Sequence, residues 1–173
     1  MDISQLRAKI RDIKDFPTEG ILFRDITTLL QDGPAWASVI DHLAASYRSA
    51  RVDVVVGVES RGFIFAAPLA DRLGAGFVPV RKLGKLPAET LSVEYALEYG
   101  SNTLEIHRDA IEPGAKVLIV DDLLATGGTV QGTIELVERL KGEIVGLAFL
   151  VELDFLHGRD RLAGRAVASV IHY

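Results

Sequence analysis

The sequence predicts an α/β domain with a mostly parallel sheet flanked by helices and an antiparallel hairpin at one side. Three observations predict it. Apolar runs within Val52–Val58, Lys116–Asp121 and Ile144–Val151 lack polar alternation, the mark of strands covered on both faces. Segments of helical character alternate with those runs, and strand–helix–strand order generates right-handed parallel units. One stretch breaks the rhythm: Leu91–Leu97 sets Val93, Tyr95 and Leu97 against Glu94, Ala96 and Glu98, the period of a half-exposed strand.

Taken in chain order, Ile3, Leu6, Ile10 and Ile13 recur at helical spacing and predict a short amphipathic helix, ended by the breaker cluster 15–20. Residues 21–30 are mixed in character. Gly33 precedes Pro34, which suits the first turn of a helix running to about Ala50. A buried strand at Val52–Val58 is followed by a helix at Gly62–Leu73 and a strand at Phe77–Val80. Next comes a basic loop, Arg81-Lys82-Leu83-Gly84-Lys85-Leu86-Pro87, then the hairpin Leu91–Leu97 and Thr103–His107 around the turn residues Gly100, Ser101 and Asn102. A breaker-containing basic loop leading into an exposed hairpin predicts a lid over residues 81–107. A third buried strand, Lys116–Asp121, leads through a glycine-rich turn to a helix at Val130–Leu140, and a fourth strand follows at Ile144–Val151.

The 173 residues suit a single domain with its own core. A net charge of −5 argues against a general nucleic-acid or anionic-membrane binder. The absence of cysteine excludes a disulfide framework, thiolate metal sites and a cysteine nucleophile. No basic-then-apolar leader opens the sequence, and no apolar run approaches the ~20 residues that span a bilayer, so a cytoplasmic location is expected. His42, His107, His157 and His172 show no metal-ligand spacing. Ser60 lies in Gly57-Val58-Glu59-Ser60-Arg61-Gly62, which lacks the glycine two positions before the serine that a hydrolase elbow requires. Neither a triphosphatase P-loop nor a dinucleotide glycine fingerprint occurs.

The most informative stretch is Val117 to Thr129. A buried strand ends in Asp121 and Asp122, and a turn of Ala125, Thr126, Gly127, Gly128 and Thr129 opens a helix. Glycines let backbone N–H groups approach an anion, threonine hydroxyls add donors, and the helix N-terminus adds partial positive charge. That combination predicts a monophosphate cup. Adjacent carboxylates repel phosphate but accept hydrogen bonds from sugar hydroxyls, or hold Mg²⁺ through water. The pattern therefore reads as a ribose beside its own phosphate.

Val117–Thr129 resembles the phosphoribosyl-pyrophosphate (PRPP) motif of the type I phosphoribosyltransferases. Further stretches agree in order from about residue 15 to about residue 153: Asp15-Phe16-Pro17, Phe23-Arg24-Asp25-Ile26, Glu59-Ser60-Arg61-Gly62-Phe63, Arg81-Lys82 with Gly84-Lys85-Leu86-Pro87, and Leu97-Glu98-Tyr99-Gly100. The Phe-Arg-Asp-Ile and Leu-Glu-Tyr-Gly elements narrow the resemblance to the branch that uses adenine as acceptor. The resemblance implies that fold, with a base-recognition segment inside residues 1–33. It implies transfer of phosphoribose from PRPP to adenine with Mg²⁺, in a homodimer. It places Asp121 and Asp122 at the ribose and Ala125–Thr129 at the 5′-phosphate. Glu59, Ser60, Arg61, Lys82 and Lys85 fall at pyrophosphate, and Leu22, Phe23, Arg24 and Leu153 at the base. Glu98 and Tyr99 fall in the closing lid, with Glu98 and Arg61 catalytic. Two alternatives stay open: the same chemistry on an oxo-purine, and a regulator that senses PRPP without turning it over.

Overall fold

Valine-rich runs cannot face water on either side, and here they occupy the middle of a seven-stranded sheet. The computed structural model describes residues 1–96 and 101–173. Strands β3 (Val54–Val58), β4 (Gly76–Lys82), β7 (Lys116–Leu124), β8 (Glu143–Glu152) and β9 (Val167–His172) pair in parallel, in the order β4-β3-β7-β8-β9. The hairpin β5 (Thr90–Ala96) and β6 (Ser101–His107) joins antiparallel at the β4 edge, where Arg81 pairs with Glu105. A separate two-stranded sheet holds β1 (Arg11–Lys14) and β2 (Leu22–Asp25).

Each sheet face has its own core. On one face, α3 (Gly33–Tyr47) and α4 (Gly62–Leu73) bury Val39, Leu43, Phe65 and Leu69 against Val55, Leu118, Val120 and Leu150. On the other, α5 (Gly128–Arg139) and the hairpin bury Ile134, Val137, Val93, Leu104 and Ile106 against Ile119, Leu147 and Phe149. Asp32 caps α3 by accepting from the Ala35 amide at 3.0 Å, and Pro34 sits in the first turn as expected. Buried Tyr47 closes the other end: its hydroxyl donates to the Leu147 carbonyl at 2.8 Å, and burial pushes its pKa up to about 12.

Three expectations change, and one strand appears that no expectation covers. The opening helix is only α1 (Ile3–Arg7), and Arg11–Lys14 is a strand. Pairing Ile13 with Phe23 satisfies the backbone, and the ion pairs Arg11–Asp25 and Arg24–Asp12 cross the two strands. These outweigh helical periodicity in a segment too short to hold a helix by itself. Arg81 and Lys82 end strand β4 instead of lying in a loop, because β6 supplies partners for both. The third inner strand runs on to Leu124, so Asp121 and Asp122 lie within it; β8 continues alongside and pairs Leu123 with Val151. The added strand is β9, which carries Ser169 within its run and follows two 3-10 turns, Asp154–Leu156 and Gly158–Leu162. The hairpin lies where the alternation predicts it, although its predicted members Leu97, Glu98, Tyr99 and Gly100 lie outside the described residues.

Candidate active site

Ligands of open parallel sheets bind beyond the carboxyl ends of the strands. The carboxyl ends of β3, β4 and β7 converge here on a cleft of about 360 Å³. Its floor is the turn from Leu123 through Thr129 to Val130. Gly127 has φ +85°, a left-handed value that a side chain would strain, and it occupies the N-cap position of α5 with no side chain capping the helix. The first-turn amides of α5 are thus left without a side-chain acceptor beside the cleft, which is the usual construction of an anion cup.

Asp121 and Asp122 line one wall of the cleft. The Asp122 amide donates to Asp121 Oδ1 at 2.8 Å, and Arg61 Nε lies 2.9 Å from Asp122 Oδ2. Burial raises the pKa of Asp121 well above the usual carboxylate range, and the neighbouring Asp122 charge raises it further. Burial also raises Asp122, with the Arg61 guanidinium pulling the other way. Gly62 makes room for this pair: a Cβ there would stand 2.8 Å from Asp121 Oδ1.

The cationic side of the cleft comes from Arg61 and Lys82. Glu59 sets that side. Its carboxylate accepts from Arg81 Nε and Nη2, both at 3.2 Å, and from the Lys82 amide at 3.0 Å. Arg81 is thereby spent on Glu59 and on the Lys85 carbonyl, which its Nη1 meets at 3.1 Å.

A second, apolar pocket of about 130 Å³ adjoins the cleft and shares Arg61, Asp122 and Leu123 with it. Its remaining walls are Ile21, Leu22, Phe23, Arg24, Ile26, Val151 and Leu153. Phe16 braces Phe23 edge-on at 5.1 Å between ring centroids, and the Arg61 guanidinium lies 5.6 Å from the Phe23 ring. Among the described residues, no helix is long and apolar enough to cross a membrane.

A family model described as phosphoribosyl transferase domain matches residues 27–169. The adenine phosphoribosyltransferase of Chloroflexus aurantiacus is 57% identical over 173 residues, covering all of both chains. The chain belongs to the phosphoribosyltransferase family.

Within that family the similarity extends to solved structures of adenine phosphoribosyltransferases. The crystal structure of adenine phosphoribosyltransferase from Thermoanaerobacter pseudethanolicus superposes with a TM-score of 0.96 at 52% identity, covering 99% of each chain. That of the Saccharomyces cerevisiae adenine phosphoribosyltransferase, complexed with an imino-altritol bisphosphate and adenine, gives 0.91 at 41% identity and covers 97% of each chain. The fold is the type I phosphoribosyltransferase fold.

Most residues singled out in the sequence meet in this phosphoribosyltransferase. Glu59, Ser60, Arg61, Lys82, Asp121, Asp122 and Ala125–Thr129 line the cleft, while Leu22, Phe23, Arg24 and Leu153 line the adjoining pocket. Lys85 is not among the cleft-lining residues. Arg24 borders the pocket, yet its guanidinium is turned to Asp12 and to the Tyr173 ring. Glu98 and Tyr99 lie outside the described residues. Sequence reasoning missed Tyr95, Asn102 and Leu104 of the hairpin, although Tyr95 already stood on its apolar face in the alternation. It also missed Gly158, whose carbonyl lies against Gly127 and whose own position leaves no room for a Cβ, only 2.1 Å from the Ala125 carbonyl. No sequence signal marks that contact.

Proposed function

We propose that this chain transfers the 5-phosphoribosyl group from PRPP to adenine, giving AMP and pyrophosphate, the adenine reaction of purine salvage. One observation carries the reading: the polar cleft over the α5 N-terminus adjoins an apolar pocket of about 130 Å³, and Arg61, Asp122 and Leu123 line both. A phosphorylated sugar and a flat base bound there meet at the sugar's anomeric carbon.

The bond from that carbon to the pyrophosphate oxygen breaks, and a bond to the purine ring nitrogen forms as that nitrogen gives up its proton. The first-turn amides of α5 and the hydroxyls of Thr126 and Thr129 hold the 5′-phosphate. Asp121 and Asp122 accept from the ribose hydroxyls. Arg61 and Lys82 draw charge from the departing pyrophosphate, with the Ser60 turn beside it. Phe23 and Leu153 sandwich the base, and the backbone of Leu22 and Phe23 donates to its ring nitrogen and accepts from its amine. By resemblance, Glu98 steadies the purine proton, Tyr99 closes the lid, and Lys85 reaches pyrophosphate once the lid moves.

The paired carboxylate oxygens of Asp121 and Asp122 are hard donors of the kind Mg²⁺ takes, so the cleft fits that ion. They would hold it through water and the diphosphate of PRPP, and the ion would neutralise the leaving group. Family membership supports a homodimer and a cytoplasmic location as part of the same proposal.

Initial rates with PRPP, Mg²⁺ and adenine, hypoxanthine or guanine test it. A site that reads an exocyclic amine with its backbone rejects the oxo-purines by on the order of 10⁴-fold. Turnover of guanine without adenine overturns the base assignment. Turnover of none leaves a PRPP sensor.

A further inference from the structure

We propose that Tyr173 is a positioning residue that holds the two walls of the base pocket at their working separation; the idea rests on the adenine reading above. The wall formed by Phe23 is fixed through the next residue. The Arg24 guanidinium lies 3.8 Å from the Tyr173 ring centroid and is also paired with Asp12. A second guanidinium, from Arg7 of α1, lies 4.3 Å from the same centroid. Cations over an aromatic ring are attracted by its quadrupole, so the ring binds β2 and α1 together.

The opposite wall is Leu153, and Tyr173 fixes that as well. The Tyr173 amide donates to the Glu152 carbonyl at 3.0 Å, and its main-chain oxygen accepts from the Asp154 amide at 2.9 Å. These bonds bracket Leu153, whose own amide donates to the Leu124 carbonyl at 3.0 Å, beside the cup. Tyr173 lines neither the cleft nor the pocket. It thus acts on base binding only through Arg24 and Leu153, and it leaves the phosphate cup on α5 alone. The inference is a selective one: loosening the ring lets the Phe23 segment drift from Leu153 without disturbing the sugar site.

Steady-state kinetics of Tyr173→Ala, Tyr173→Leu and Tyr173→Phe test it, with both substrates varied. The adenine KM should rise about five- to twentyfold in the Ala and Leu variants, the loss of one to two cation–ring contacts. The PRPP KM and the kcat at saturation should stay within about twofold, and Phe, which keeps the ring, should return the adenine KM to near the parent value. Arg24→Met combined with Tyr173→Leu should fall short of the sum of the two single effects, because both variants remove the Arg24–ring contact. An unchanged adenine KM in Tyr173→Leu, an equal rise in both KM values, or additive effects in the double variant would each overturn the inference. Adenine turnover by the parent chain upholds the function whatever these variants do, so the two ideas fail separately.

Discussion

Asp121 and Asp122 carry opposite consequences for stability and for chemistry. Asp122 is buried and Asp121 half-buried at the cleft wall, and burial raises the pKa of each. A carboxyl whose folded pKa is raised binds its proton more tightly in the folded state. Stability is then greatest below the ordinary carboxylate value of about 3.9, falls as pH rises toward the raised value, and stays lowered above it. Asp121→Asn keeps the oxygen that accepts from the Asp122 amide and removes the buried charge. Its melting temperature should exceed the parent's by a few degrees at pH 7, and the gain should vanish below about pH 4. Thermal melts at the two pH values check the sign; a lower melting temperature at pH 7 would contradict the account. Asp122→Asn removes an acceptor at the proposed ribose site and frees Arg61. It should lower kcat/KM for PRPP on the order of 100-fold while circular dichroism stays unchanged. Parent-like kinetics would remove Asp122 from the ribose.

Among the elements, the turn between β7 and α5 depends on a neighbour far away in sequence. Gly158 backs it so closely that Gly158→Ala would force the Ala125 carbonyl to move. That variant should raise the PRPP KM at least about tenfold and leave the adenine KM within about twofold, because the base pocket has walls of its own. Equal effects on both substrates would mean that the turn and the pocket move together. This contact also shows where sequence reasoning stops. The glycines and threonines of the turn are legible because phosphate chemistry demands them locally, whereas the buttress is a long-range packing event with no periodic signature. The β1–β2 pair failed for the same reason. Ile3, Leu6, Ile10 and Ile13 fit a helical stripe, and only the partner strand Leu22–Asp25, with its Arg11–Asp25 and Arg24–Asp12 pairs, reveals the alternative.

Over the whole molecule, the parallel centre was legible because a strand buried on both faces must be apolar throughout, as Val54–Val58 and Leu118–Val120 are. Strand β9 was not, since Ser169 interrupts its run and its place beside β8 is set by pairing alone. The cup and acids could be placed from residue type. That cup and base pocket share a wall at Arg61, Asp122 and Leu123 is a property of the assembled sheet end, where β2, β3, β7 and β8 converge. That shared wall is the central claim, and one ligand spans it. A crystal of the protein grown with AMP and Mg²⁺ should show the phosphate on the amides of residues 125–129, the ribose hydroxyls at Asp121 and Asp122, and the base between Phe23 and Leu153. AMP bound with its phosphate away from that turn, or with its base outside the Phe23–Leu153 pocket, would contradict the account.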